Sequence, residues 1–383
     1  MRHRFKRLRS SAALLLVALA SASGCKDTAP PDVGDTRPPA STPGPTIVVG
    51  DSVSLVESGD GVLGAYASMM TRDGSGKLYV SEMTSKRVVA FGPDGAAIRT
   101  FGRRGEGPGE FRLPGGLHVF GDTLLMVHDP VRERFLQFDV RSGKLLAERK
   151  ATTALIAPDW SIVGDSIFAG TVGSEGIVST WGVGRGDVTA VVPLPPDLRG
   201  QLGIMMRYGV PGIAIVDSNL LVLIPGRAGL HLYSRSGEAR ARLLVPAARR
   251  RGEPVDLVAR QIALSKASPG QIVASLPAGV HKLTSGLVLV VMQDMELIAG
   301  GRRDAKYGSF TIYASLVDLN RMVACVDGKL PIESDVPLMP IFRGDTVFIL
   351  GRVATPELTV RSQLSSFTVN GAGCKWLPIR SVK

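Results

Sequence analysis

The chain has 383 residues and a formal net charge of +11 at pH 7, with 44% hydrophobic and 21% charged residues. Five of its Lys and Arg residues lie within the first nine positions, MRHRFKRLR, so the rest of the chain carries 11 − 5 = +6. That charge is compatible with attraction to anionic lipid head groups, but it is too small to indicate a nucleic-acid partner.

The N-terminus has the three parts of a secretory signal. The basic residues precede an apolar run, AALLLVALA at 12–20, and the small residues of SASGC follow and end at Cys25. This run spans about half of a bilayer core as a helix, so it does not predict a permanent membrane span. The ending ASGC resembles the lipobox of bacterial lipoproteins, in which the cysteine is lipidated. We therefore predict a lipoprotein signal peptide over 1–24 and lipid on Cys25. An ordinary cleaved signal with an incidental cysteine is the alternative.

A proline-rich stretch follows the signal. Residues 25–46 contain six prolines and no large apolar residue before Val33. Such a segment cannot bury enough apolar surface to fold, so it predicts a flexible tether. The tether would hold a folded domain, 47–383, on the periplasmic or cell-surface side of the bacterial cell envelope. We expect this domain to be a monomer.

One short pattern recurs in the predicted domain: an apolar strand, Gly-Asp, a Ser or Thr, and a second apolar strand. It appears as VVGDSVSLV (48–56), HVFGDTLLMV (118–127), SIVGDSIFAG (161–170) and IFRGDTVFIL (341–350). Glycine at the first position of a two-residue loop suits a type II′ turn in an antiparallel hairpin. Counting the second strands gives six, which start near Leu78, Leu124, Ile167, Leu220, Leu287 and Val347. Six four-stranded antiparallel units predict an all-β, six-bladed β-propeller.

The glycine-rich stretch FGRRGEGPGEF (101–111) could be a phosphate-binding loop or a connector. It lacks the Lys and Ser/Thr of a Walker A loop, and it lacks the G-x-G-x-x-G that opens a helix in dinucleotide-binding folds. With its flanks it resembles the link between blades of NHL-repeat propellers, and the whole chain resembles exported bacterial propeller lipoproteins. The resemblance implies a hinge between blades 1 and 2, anchored by phenylalanines and turned by glycines. Its members are Phe101, Gly102, Gly105, Gly107, Pro108, Gly109, Phe111 and Pro114.

Residues 246–280 interrupt the repeat. Apolar residues between Leu257 and Leu264 have helical spacing, and Asp256 is a candidate N-cap. We therefore predict a short helical insertion between blades 4 and 5. It would either build a binding surface or pack over exposed blade edges.

Two histidines fall on predicted inner strands. His118 belongs to blade 2 and His281 to blade 5, which face each other across the channel of a six-bladed ring. Together with Asp129, at the end of a second strand, they could hold zinc or calcium, and amidating-lyase relatives among NHL propellers use a histidine-bound zinc. The other interpretation is that these histidines only pack and hydrogen-bond, in which case no cofactor is expected.

Two cysteines remain once Cys25 is assigned to lipid. Cys325 and Cys374 would lie in an oxidising compartment, which favours a disulfide. Their separation is about one repeat, however, and equivalent positions on neighbouring blades splay apart, which opposes a bridge. The sequence leaves this pairing open.

The sequence offers few catalytic groups, and it has no G-x-S-x-G serine nucleophile motif. We therefore expect a non-catalytic module that binds a protein, peptide or glycan at one face of the propeller or at the 246–280 insertion. The alternative is a metal-dependent lyase or hydrolase with its site in the central channel.

Overall fold

A computed structural model describes residues 43–57, 62–63, 67–151, 155–173, 175–182, 188–199, 210–225, 227, 229–246, 272–298, 307–334, 338–354 and 360–382. These residues form a six-bladed β-propeller of four-stranded antiparallel sheets. The predicted signal peptide, Cys25 and most of the predicted tether lie outside the described residues. None of the described helices is long and apolar enough to cross a membrane.

The strands are numbered in chain order, and the strands of each blade are given from the innermost to the outermost. Strand β1 (Thr46–Ser54) belongs to the last blade. Blade I contains β2 (Ala67–Arg72), β3 (Leu78–Glu82), β4 (Arg87–Phe91) and β5 (Ala97–Phe101). A two-stranded parallel ribbon, β6 (Arg103–Arg104) and β7 (Glu110–Phe111), leads to the next blade. Blade II contains β8 (Leu117–Phe120), β9 (Leu124–Asp129), β10 (Arg134–Asp139) and β11 (Leu145–Lys150).

The remaining blades repeat this order. Blade III contains β12 (Leu155–Val163), β13 (Ser166–Val172), β14 (Gly176–Gly182) and β15 (Thr189–Pro193), followed by a 3₁₀ helix, Pro196–Leu198. Blade IV contains β16 (Gly212–Val216), β17 (Asn219–Leu223), β18 (Leu230–Ser234) and β19 (Ala239–Leu244). Blade V contains β20 (Ile272–Lys282), β21 (Val288–Ile298), β22 (Tyr307–Asp318) and β23 (Val323–Ser334). Blade VI contains β24 (Ile341–Arg343), β25 (Thr346–Ala354), β26 (Val360–Asn370) and β1.

The six predicted second strands are confirmed. Strands β3, β9, β13, β17, β21 and β25 each begin within one residue of the predicted position. The Gly-Asp pattern precedes three of them, β9, β13 and β25, and the turns explain this pattern. Gly164 and Gly344 have φ angles of 56° and 55°, a left-handed conformation that glycine adopts without a steric penalty.

One copy of the Gly-Asp pattern, VVGDSVSLV, is not a hairpin, so this part of the prediction was wrong. Residues 46–54 form the single strand β1, which pairs with β26 and closes the ring from the N-terminal side. The ladder shifts register between Val49 and Ser52, and Ser366 Oγ donates a hydrogen bond to Asp51 O at 2.7 Å. Gly50-Asp51 is therefore accommodated as a bulge, because the neighbouring strand is long enough to continue past it.

Aromatic side chains fill the spaces between the first three blades. The rings of Phe101 and Phe111 lie 5.8 and 5.9 Å from that of Phe138, between blades I and II. Between blades II and III, the ring of Phe135 stacks on that of Trp181, with centroids 5.2 Å apart. Removing one such buried ring typically costs about 3–5 kcal/mol, so these contacts hold neighbouring blades together.

After blade VI the chain returns to the outer edges of earlier blades. Strand β27 (Leu377–Pro378) pairs with β23 in blade V, and β28 (Arg380–Val382) pairs with β19 in blade IV. Cys325 and Cys374 form a disulfide with a Cα–Cα distance of 5.7 Å. The two cysteines do not occupy equivalent positions on neighbouring blades, because Cys374 lies in this returning tail. The geometric objection to a bridge therefore does not apply.

The predicted insertion at 246–280 is only partly described. Its helix, between 256 and 264, lies outside the described residues. Residues 272–280 belong instead to the inner strand β20, so the predicted C-terminal boundary of the insertion was wrong. At the other end of the domain, Pro43 O accepts a hydrogen bond from Lys375 N at 3.3 Å. Contact with the propeller thus begins within the segment assigned to the tether.

Candidate functional site

The inner strands of all six blades line a cavity of about 350 Å³. The cavity lies at the channel end where each inner strand turns into the second strand of its blade, since the lining residues come from the last few positions of those strands. One lining residue from each blade, in order, is Arg72, His118, Trp160, Ile215, His281 and Arg343. Small-molecule sites typically occupy about 300–1,000 Å³, so this cavity has the size of a ligand site.

His118 forms one wall of the cavity. Its ring stacks on Trp160, with centroids 5.5 Å apart and planes 13° apart, and Phe120 lies 4.8 Å from it. Burial, followed by the positive charge of Arg343, lowers the pKa of His118 to about 4. The imidazole is therefore neutral at pH 7 and presents no charge to the cavity.

His281 lies on the opposite wall. Its ring stacks on Phe342, with centroids 5.0 Å apart and planes 7° apart, and its Nε2 atom lies 2.9 Å from Gly344 O. A carbonyl oxygen can only accept a hydrogen bond, so Nε2 carries the proton and donates. Burial lowers the pKa of His281, although Gly344 O and Asp345 oppose the shift. In the neutral ring, Nδ1 is then an unprotonated acceptor.

The two histidines occupy equivalent positions. Phe120 pairs with Leu124 in blade II, and Leu283 N donates to Leu287 O in blade V, so each hairpin closes around three residues. Each histidine stands two residues before that closing pair. Both rings line one cavity, as their predicted placement on facing blades required. Within the described part of the chain, no three His, Cys, Asp or Glu side chains are grouped to hold a metal ion.

Asp129, the third residue of the predicted metal set, does not line the cavity. Its carboxylate is fully buried, and it accepts hydrogen bonds from Arg112 N at 2.8 Å and from Val131 N and Arg132 N at 3.2 Å. It therefore joins the β9–β10 turn to the link that enters blade II. Glu82, at the end of the second strand of blade I, accepts hydrogen bonds from Thr84 N and Ser85 N at 2.6 Å within its own turn. Burial raises its pKa, but backbone hydrogen bonds from Ser85 and Thr84 outweigh this effect and lower the pKa below its usual value.

Positive charge dominates the cavity wall. Arg343 is exposed at the mouth and donates from Nη2 to Arg72 O, which joins blade VI to blade I. Arg72 lies over the ring of Phe348, 4.4 Å from its centroid, and Nε donates to Gly76 O at 3.0 Å. Lys282 also lines the cavity and forms an ion pair with Asp217 at 3.1 Å. Of the described residues, those that line the cavity include no Asp or Glu.

The glycine-rich link at 101–111 lies away from the cavity, between blades I and II. Phe101 and Phe111 are buried, and Gly102, Gly105 and Gly109 have φ angles of 64°, 157° and 73°. Gly107 N donates to Glu110 Oε2 at 2.8 Å, and the buried Arg134 donates to Glu110 O at 2.7 Å. Side chains of the same chain thus bond the backbone of this stretch, as expected for a connector between blades.

The sequence patterns single out the two histidines but not the two arginines of the cavity, Arg72 and Arg343. Arg343 occupies the position just before Gly344-Asp345 in the pattern IFRGDT, at the end of an inner strand. This position could have identified Arg343 as a cavity residue, because a charged residue at the end of an inner strand lies at the mouth of the channel. Arg72 carried no such signal, since its hairpin has no Gly-Asp turn.

No family model and no curated protein sequence matches the chain. Solved structures with the same architecture do match. A member of the DUF4221 family from Bacteroides vulgatus aligns with a TM-score of 0.57 and 10% identity, over 85% of this chain and 99% of that one. A putative exported protein from Bacteroides fragilis aligns with a TM-score of 0.54 and 11% identity, over 85% of this chain and 95% of that one. Virginiamycin B lyase from Staphylococcus aureus aligns with a TM-score of 0.46 and 10% identity, over 84% of this chain and 99% of that one. At these identities the likeness to the two Bacteroides structures establishes the fold alone, a six-bladed propeller.

Proposed function

We propose that the chain is a lipid-anchored binding module of the bacterial cell envelope, and that it binds its ligand in the channel cavity. The observation that carries this proposal is the cavity itself, which gathers side chains from all six inner strands. It has room for one side chain, chain terminus or sugar unit of a protein, peptide or glycan partner. The propeller then serves as a rigid frame, because its blades are fixed by interblade packing and ring closure.

The envelope location rests on the sequence. A basic N-terminus, an apolar run and the lipobox-like ending at Cys25 together favour export and lipidation. The propeller neighbour from Bacteroides fragilis is described as a putative exported protein, which supports the same compartment. The link at 101–111 supports kinship with NHL-repeat propellers. Labelling with a lipid precursor should mark the wild-type chain and leave Cys25→Ala unlabelled; equal labelling of both would contradict the anchor.

The binding proposal is tested by filling the cavity. A panel of envelope peptides and glycans would be measured by calorimetry against the full chain and against Ser161→Trp, which places a large side chain at the cavity wall. Ser236→Trp is the matched control, since Ser236 is exposed on a turn of blade IV. We expect a partner that binds the wild type and the control but not Ser161→Trp. If every partner binds all three proteins equally, the cavity is not the site.

The alternative, a metal-dependent lyase or hydrolase, predicts a different result. Purified protein would contain stoichiometric zinc or calcium, and His118→Ala would lose it. That outcome would replace the binding proposal, because His118 and His281 both line the cavity where such a metal would have to be held.

A further inference from the structure

We infer that the cavity selects an oxyanion, a carboxylate or a phosphate group, and that the guanidinium of Arg343 is its main anchor. This inference rests on the proposed function and specifies the chemistry of its ligand. It follows from the charges that line the cavity, from the hydrogen bonds those charges already make, and from the neutrality of the two histidines.

The first step is the balance of charge. Three cationic side chains line the cavity, and its described lining includes no carboxylate. Lys282 is offset by Asp217, 3.1 Å away, and the Coulomb interaction with Asp73 offsets part of the charge on Arg72. Arg343 forms no ion pair with a described residue. The cavity therefore has a surplus of positive charge, and this surplus is centred on the junction of blades VI and I.

The second step concerns repulsion between like charges. Burial lowers the pKa of Arg72, and the positive charge of Arg343 lowers it further. The same charge also acts on His118, across blade I. An anion held between the two guanidiniums would replace this repulsion with two attractions. A cation entering the cavity would add to the repulsion.

The third step concerns hydrogen-bond donors. A guanidinium has five N–H donors in a planar fork that matches the oxygens of a carboxylate or phosphate. Among the described residues, Arg343 has the carbonyl of Arg72 as its hydrogen-bond partner. That single carbonyl uses a minority of the donors and leaves the others for a ligand. It also fixes the guanidinium at the mouth, which reduces the side-chain entropy lost on binding.

The last step concerns the histidines. Both are neutral at pH 7, because burial lowers their pKa values. They add no competing cation or anion, and apolar residues that line the same cavity, such as Val280 and Ile341, exclude water from part of the wall. A charged hydrogen bond is stronger at such a partly dry surface than in open water. The geometry thus favours one anionic group rather than a polyanion.

The experiment uses three probes of similar shape and different charge: benzoate, phenyl phosphate and benzylamine. Each is titrated calorimetrically into the full chain at pH 7 and constant ionic strength. We expect saturable binding of at least one anion, with a dissociation constant in the millimolar range, and no binding of benzylamine. The stronger of the two anions identifies carboxylate or phosphate as the preferred group. Benzylamine binding as tightly as the anions, or no saturable anion binding, would overturn the inference.

The variant arm uses Arg343→Met, which keeps much of the side-chain length and removes the charge. We expect the anion dissociation constant to rise about ten- to hundredfold, as for the loss of hydrogen bonds to a charged group. Arg149→Met, on the exposed outer strand of blade II, is the matched control and should bind as the wild type does. Arg343→Lys keeps the charge in case the Met variant folds poorly, and it should bind with intermediate affinity. Unchanged anion affinity in a folded Arg343→Met protein would refute the anchor.

An independent readout is the titration of His118, followed by NMR. Arg343 is the charged group that acts on this imidazole, so neutralising it with a bound anion should raise the pKa of His118 from about 4. Arg343→Met should raise it without any ligand. A partner that binds in the cavity while neither anion binds would overturn only the oxyanion inference. Binding of all partners to Ser161→Trp would overturn the proposed function as well.

Discussion

The stability of the propeller should fall in mild acid because of a histidine that is far from the cavity. His128 lies on β9 with no exposed surface, and its ring centroid is 5.2 Å from that of Phe135. Neither ring nitrogen has a well-formed hydrogen bond to a described residue. Burial lowers the pKa of His128 to about 3, and the backbone of Ala151 opposes part of the shift. The folded state therefore keeps this imidazole neutral.

The size of the effect follows from proton linkage. Because the folded pKa is depressed from 6.5 to about 3, the unfolded chain binds the extra proton between these values. Stability is complete above pH 6.5 and decreases as the pH falls. At pH 5, which is about 1.5 below the unfolded pKa, the free energy of unfolding falls by roughly 2 kcal/mol. Below pH 3 the loss approaches roughly 5 kcal/mol. His118, with a pKa of about 4, should act in the same direction.

The assay is urea unfolding of the wild type and His128→Leu at pH 7 and pH 5, at fixed ionic strength. The leucine variant carries no proton at this position, so it should lose roughly 2 kcal/mol less than the wild type between the two pH values. Met126→Leu alters the same strand without removing a titratable group, and it should keep the wild-type pH dependence. Equal losses in His128→Leu and the wild type would refute the reasoning.

Two further predictions concern the disulfide and the link. Replacing both Cys325 and Cys374 with Ser should lower the free energy of unfolding by about 4 kcal/mol, since the bridge closes a loop of 49 residues; a urea midpoint that neither the substitutions nor a reductant shifts would contradict this. Gly102→Ala should destabilise by roughly 2–4 kcal/mol, because φ is 64° and the new Cβ would lie 2.3 Å from a ring carbon of Phe111. Gly373→Ala has a similar φ of 74° but open space around it, so it should lose only about 1–2 kcal/mol, and equal losses in the two variants would show that the clash is absent.

The number of blades could be predicted from local chemistry. Alternating apolar residues and glycine turns recur in the chain, and each hairpin depends on residues that are adjacent in sequence. The link at 101–111 could be recognised for the same reason, since its glycines serve turns within the stretch. The copy at 48–56 shows where this logic fails. Residues 46–54 remain one strand because their partner, β26, lies more than 300 residues away in the chain.

The candidate site depended on longer-range relations. His118 and His281 could be placed on facing blades by counting, but their neutral state follows from burial, to which Trp160 and Phe342 of other blades contribute. The disulfide likewise depends on a tail that returns to blade V. Contacts between neighbouring residues therefore specify the repeating strands, the turns and the number of blades. The charge and shape of the cavity arise when the ring closes, because closure brings Arg343 of the last blade against Arg72 of the first.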